Sequence, residues 1–135
     1  MISPLLYSHC SAYSQKKIWM ELTNLVIPSH NDSLKDIKEM CKWIVDNVGV
    51  DVPLHFSRFF PFHKMNTTMP TEEKKLLHAR EYAMEAGIRY VYIGNMFTID
   101  GDTTVCPQCG QKVIERQGLP LIQKHCDFDI KGVWQ

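Results

Sequence analysis

Cys106-Pro107-Gln108-Cys109-Gly110 sets two thiols on one tight turn, whose glycine lets backbone N–H groups turn toward sulfur. This is half of a four-ligand zinc site. Cys126 and the adjacent His125 follow at a loop-closing distance, so Cys106, Cys109, Cys126 and His125 offer three sulfurs and one imidazole. Asp127 or Asp129 is the alternative to His125, because carboxylates also bind zinc. Zinc suits such a mixed set better than iron, since a closed tetrahedral site needs no redox partner and stabilises a core-poor segment. The competing readings are an empty, degenerate ribbon and a redox dithiol, because a second C-x-x-C is missing.

A second group of polar side chains lies earlier. His55 and Ser57 alternate with Leu54 and Phe56 and so share one face of an extended segment, as Glu21 and Thr23 do on the segment before it. Together the four suggest a lined cavity; the bland alternative is local hydrogen bonding at a sheet surface. Arg58, His63 and Lys64 are placed to hold an anion such as a carboxylate, although solvated loop cations fit the same pattern. Cys41 lies on an apolar helix face and reads as core, and His30 and His78 read as solvent-facing. The chain has no glycine-rich phosphate loop, no G-x-S-x-G elbow and no H-E-x-x-H, so nucleotide-hydrolase, esterase and zinc-protease readings lack support.

The elements that must position these residues alternate in type. Apolar runs at Met20–Ile27, Leu54–Phe59 and Arg89–Ile93 read as strands, the first covered on both faces and stopped by Pro28. Between the first two, Ser29-His30-Asn31-Asp32-Ser33 is rich in capping residues, and Leu34, Ile37, Met40, Cys41, Ile44, Val45 and Val48 recur at helical spacing. Gly49 suits the left-handed end of that helix. Phe60–Pro70 reads as a loop at the carboxyl end of the second strand, the edge where parallel sheets bind ligands. Thr71 reads as an N-cap with Glu72 and Glu73 behind it, opening a second helix that Gly87 ends.

The order β-α-β-α-β with right-handed crossovers predicts an α/β fold, an arc of about three parallel strands with both helices on one side. Residues 1–17 read as an irregular start, with the remnant of a helix packed on the first strand as the alternative, residues 18–98 as the arc and residues 99–135 as a zinc-ribbon-like tail, with Lys112–Arg116 its short strand. Unpaired strand edges imply more sheet beside the arc, which points to an amino-terminal half on another stretch of polypeptide.

At 135 residues one domain is the default, burying roughly two-thirds of the unfolded surface. Fifteen basic and fifteen acidic residues are mixed along the chain, so it lacks the electrostatic footprint of a nucleic-acid or anionic-membrane partner. No apolar run reaches the roughly 20 residues of a membrane span, no signal peptide is evident, and five cysteines, two of them spaced for metal, suit a reducing cytoplasm.

Taken together, Glu21-Leu-Thr-Asn-Leu-Val-Ile-Pro28, Asn31-Asp32, Val52-Pro-Leu-His-Phe-Ser-Arg-Phe59, Ala79-Arg80, Tyr90-Val-Tyr-Ile-Gly-Asn95 and Thr104-Val-Cys-Pro-Gln-Cys-Gly110 resemble the AmmeMemoRadiSam-system radical SAM enzymes. These are relatives of pyruvate formate-lyase activating enzyme, and the resemblance runs from about Ala12 to Trp134. It implies the carboxyl-terminal half of a partial (β/α) radical SAM barrel followed by a zinc-ribbon tail. In the family an amino-terminal half carries C-x-x-x-C-x-x-C, whose thiolates hold a 4Fe-4S cluster that cleaves S-adenosylmethionine to a 5′-deoxyadenosyl radical. This chain holds no such motif, which implies no radical generation by the chain alone and a partner that is an amino-terminal radical SAM half or a protein substrate. Matched positions imply that Glu21, Thr23, Pro28, His55, Ser57 and Arg58 line the S-adenosylmethionine and substrate side of the barrel. Two departures stand out. Ser29 replaces a glycine usual after the proline, and Gln123 takes the place of the first cysteine in the family's second pair, with Cys126 aligned to the other. A zinc-ribbon interaction module without catalysis is the alternative function.

Overall fold

The computed structural model describes residues 4–98, 100–116 and 121–123, with residues 4, 5 and 121–123 as backbone only. Three parallel strands, β1 (Leu22–Val26), β2 (Leu54–Arg58) and β3 (Val91–Gly94), lie in the order β1-β2-β3. Leu22 stands opposite Leu54, and Leu54 opposite Val91. The α/β character and the parallel strand order thus match the expectation.

Helix α1 spans Pro4–Gln15, α2 Leu34–Asn47 and α3 Glu73–Glu85. Ser33 caps α2 by accepting a hydrogen bond from Asp36 N–H, and Ile37, Met40, Cys41 and Ile44 form its buried stripe. Val48 ends it, with Gly49 next at φ +122°. Both α2 and α3 cover one face of the sheet, where Val26, Leu54, Phe56, Val91 and Ile93 join Leu76, Ala79, Ala83 and the α2 stripe in a single core. The Lys38 ammonium lies 3.9 Å from the centre of the Tyr82 ring and adds a cation–π contact between the two helices. Burial pushes the Cys41 thiol up to about 11, which leaves it an unreactive core side chain.

Several expectations are corrected. Residues 1–17 hold helix α1 instead of an irregular start. The sequence lacks a clean apolar period there because a few tertiary contacts anchor the helix: Tyr7 stacks on Trp43 at 4.0 Å, Cys10 is buried, and Ser14 Oγ donates to the Val48 carbonyl. Strand β1 is covered on one face only, since Thr23 and Leu25 are exposed. Its apolar composition resembles that of a doubly buried strand because Leu25 adds an apolar side chain on the bare side.

Thr71 does not cap α3; Glu72 takes that position without a side-chain bond. Thr71 is instead fully buried, its Oγ1 donating to Val26 O at 2.5 Å and accepting from Phe59 N–H at 2.9 Å. One hydroxyl therefore ties the carboxyl ends of β1 and β2 together. The loop after β2 carries a 3₁₀ turn at His63–Met65.

A second sheet, antiparallel, is built from β4 (Thr104–Val105), β5 (Lys112–Arg116) and β6 (Leu121–Gln123), in that order. Strand β5 occupies the segment read as the strand of a ribbon. Tyr92 on β3 bonds Thr104 on β4, OH to Oγ1 at 2.9 Å, and Ile93 N–H donates to Gly101 O at 2.7 Å, so the outer edge of β3 is partly covered by the chain that follows it. Among the described residues no helix is long and apolar enough to cross a membrane.

Candidate functional site

Odd-numbered β1 residues and their partners project from the side of the sheet away from α2 and α3. Thr23 pairs in register with His55, and His55 with Tyr92; one step on, Leu25 pairs with Ser57, and Ser57 with Gly94. Among the described residues no helix covers this face, which has two levels. At the level nearer the amino ends, Glu21 Oε2 and His55 Nε2 lie 2.9 Å apart, and the His55 ring is 5.1 Å from that of Tyr92. The Arg116 guanidinium sits over Tyr92 at 5.5 Å, so one row of polar and aromatic groups runs from the β1 edge to the antiparallel sheet.

At the next level Ser57 Oγ would lie 3.1 Å from a Cβ built on Gly94. That spacing is tight, and glycine keeps β3 close to the Ser57 hydroxyl. The structure therefore brings Glu21, Thr23 and His55 together, with Ser57 about 6.6 Å further along the strand direction.

Arg58 takes up a different role from the one implied for it. Its Nε donates to Thr71 O at 2.9 Å and its Nη1 to Glu73 at 3.0 Å, and its guanidinium lies 4.9 Å from the Phe60 ring centre. The cation thus stitches β2 to the start of α3. His63 and Lys64 are exposed on the loop beyond.

Pro28 lies in the β1–α2 turn, and Ser29 after it takes φ +64°, the left-handed region that favours glycine. Its N–H donates to Asp32 Oδ1 at 2.9 Å, a bond that needs no side chain at position 29. Ser29→Gly is therefore expected to stabilise the chain by about 0.5 kcal/mol, the relief of roughly 1–2 kcal/mol of strain being offset by glycine's extra unfolded-state freedom. Equal or lower urea midpoints for the glycine variant would contradict this.

Asp32 also pairs with Lys75 on α3. The Lys75 hydrogen bond holds the Asp32 carboxyl below its ordinary value, and the same bond raises Lys75. A lowered carboxyl contributes stability above its unfolded pKa and loses it as pH falls through the folded one. Asp32→Asn is expected to cost about 1 kcal/mol at neutral pH, discounted because Lys75 is part exposed, and to flatten the fall in urea midpoint between about pH 5 and pH 2. An unchanged acid limb in the variant would contradict the assignment.

The cysteine turn joins β4 to β5. Gly110, at φ +72°, donates its N–H to Cys106 O at 2.9 Å, and Cys106 N–H donates to Gln111 O at 2.8 Å. Cys106 is buried and Cys109 exposed. These two thiols fit half of a tetrahedral zinc set. Cys126 and His125 lie outside the described residues, and among the described residues no group of three or more His, Cys, Asp or Glu side chains is placed to hold a metal.

Sequence reasoning missed Tyr92, Thr104, Arg116 and Asn31. Alternation along Tyr90-Val91-Tyr92 carried the signal for Tyr92, which shares the His55 face. The others depend on contacts across loops. Asn31 Oδ1 accepts from Ile27 N–H at 2.6 Å and its Nδ2 donates to Leu25 O at 2.9 Å, closing the end of β1.

No family model matches the chain, and no solved structure matches it. Over 115 residues, 85% of its length, the chain is 41% identical to the uncharacterized protein MJ0808 of Methanocaldococcus jannaschii, of which it spans only 34%.

Proposed function

We propose that this chain is the carboxyl-terminal part of a radical SAM enzyme of the pyruvate formate-lyase activating type, a piece of a (β/α) barrel that works only with a cluster-bearing amino-terminal half. The observation that carries the reading is a parallel arc with helices α2 and α3 on one face and, on the opposite face, which no helix covers among the described residues, Glu21, Thr23, His55 and Ser57. A barrel interior needs such a face. The curated relative is about three times as long as the matched stretch, which supports a larger parent.

Glu21, Thr23, His55 and Ser57 offer carboxylate, imidazole and hydroxyl groups to a polar ligand such as S-adenosylmethionine, and the Pro28 turn borders the carboxyl end of β1. The 4Fe-4S cluster, held by the other half, would supply the electron that cleaves S-adenosylmethionine. This chain's residues would bind and orient; Arg58, already engaged by Thr71 and Glu73, would shape the site through β2 and α3. The setting is the cytoplasm, where thiols such as Cys10, Cys41, Cys106 and Cys109 stay reduced.

Reading the DNA immediately upstream tests the parentage. A C-x-x-x-C-x-x-C in frame, or one frameshift away, is expected; a different coding sequence there would contradict it.

A second reading, a zinc-ribbon interaction module without catalysis, is favoured by the antiparallel β4–β6 sheet with its cysteine turn. Metal analysis of anaerobically purified chain serves both readings, with about one zinc and no iron expected per chain. Iron–sulfur absorbance would overturn the division of labour.

A further inference from the structure

The outer edge of β1 differs from that of β3. Leu22 N–H donates to Pro53 O, and alternation along a parallel strand turns Asn24 and Val26 the same way, so Thr23 and Leu25 direct their N–H and C=O groups outward. No strand pairs there among the described residues. Beside this edge runs a groove of about 760 Å³ between α1, β1 and α2, lined by every residue from Glu21 to Leu25. Its floor is apolar, with Leu6, Tyr7, Ile37, Met40 and Trp43, and its charged lining residues, Glu21, Asp36 and Glu39, are all acidic.

Helix α1 adds the direction. It leads into β1 as α2 leads into β2 and α3 into β3, and it contacts α2 through Tyr7 and Trp43. An α1 on the α2 side of the sheet that leads into β1 holds the place of a right-handed crossover helix, whose strand would lie parallel to β1 and next to it.

We propose that the β1 edge and its groove receive a parallel β-strand from a polypeptide whose side chains are apolar toward α2 and basic, Lys or Arg, on the opposite side, where Glu21 lies. The strand pairs with Thr23 and stops at Leu25, whose carbonyl Asn31 already holds. Main-chain bonds give the affinity, and the Glu21 carboxylate favours basic sequences. The inference rests on the incomplete-arc part of the proposed function and not on radical chemistry, so failure of S-adenosylmethionine cleavage leaves it standing.

The test uses the full chain with a synthetic peptide of about six residues alternating valine with lysine, and its glutamate counterpart. The expected result is slowed hydrogen exchange at the Thr23 amide with the lysine peptide and binding weaker by about tenfold with the glutamate peptide, a preference that Glu21→Gln, on the same side of the sheet as the lysines, reduces. Thr23→Pro removes one outward N–H while leaving the β2 ladder intact, and should abolish binding with the urea midpoint little changed. If Thr23→Pro unfolds the chain, an N-methylated lysine peptide, which cannot supply the main-chain donors, provides the same comparison. Three results would overturn the proposal: no binding or equal binding of the two peptides, a shift of Trp43 fluorescence without protection of Thr23, which marks a small amphiphile site, or Thr23 protection that grows with protein concentration alone, which marks a second copy of this chain.

Discussion

On the proposed zinc-ribbon reading of the tail, replacing Cys106 by serine is expected to lower the zinc content of the purified chain and to open the β4–β6 sheet while the parallel sheet stays folded. Structural zinc in small ribbons is worth about 10–16 kcal/mol over four ligands, so one lost thiolate costs about 3 kcal/mol, or about a hundredfold in affinity. Cys106 is the stronger choice for the test because it is buried and its main chain holds both bonds of the turn, with Gln111 and Gly110. Among the described residues the parallel core contains none beyond Ile93, apart from Met96 packed against it, so its cooperative unfolding should survive. Hydrogen exchange on β5, with zinc measured by elemental analysis, separates the two effects. Full zinc content in the serine variant would refute Cys106 as a ligand, and joint loss of both sheets would refute their independence.

Thr71→Val should be the most damaging single isosteric change in the parallel unit. It deletes the hydroxyl that bridges Val26 O and Phe59 N–H, leaving an acceptor and a donor unpaired in a site with no solvent access. Each orphaned group costs about 1–3 kcal/mol, so the variant should lose about 2–4 kcal/mol, read as a lower urea midpoint at unchanged slope. Thr71→Ser keeps both bonds and should recover most of the loss. A valine variant as stable as the parent would mean the bridge contributes nothing net.

The alternation of apolar strands and amphipathic stretches made the three parallel strands readable, because side-chain period and burial report the same geometry. Strand ends were less legible. The sequence pattern runs the first strand from Met20 to Ile27, whereas pairing extends only over Leu22–Val26, since hydrogen bonds to β2 and the Asn31 closure set its limits. Helix α1 was only the second reading of its segment for a related reason: what holds it is a ring contact with Trp43 and one buried thiol, contacts with no periodic trace. Thr71 was misread because threonine before two glutamates is a local capping signal, and a 45-residue separation from Val26 gives local rules nothing to work on. In the site, Glu21, Thr23 and His55 were legible from alternation, whereas the Arg58–Glu73 pair depends on where α3 begins.

The most direct measurement of the central claim is 5′-deoxyadenosine formed from S-adenosylmethionine under anaerobic conditions with a low-potential reductant. The chain alone is predicted to yield none, and co-production with the proposed cluster-bearing amino-terminal segment is predicted to give cleavage, with His55→Ala lowering it. Cleavage by the chain alone, or none with the upstream segment bound and its cluster intact, would contradict the account.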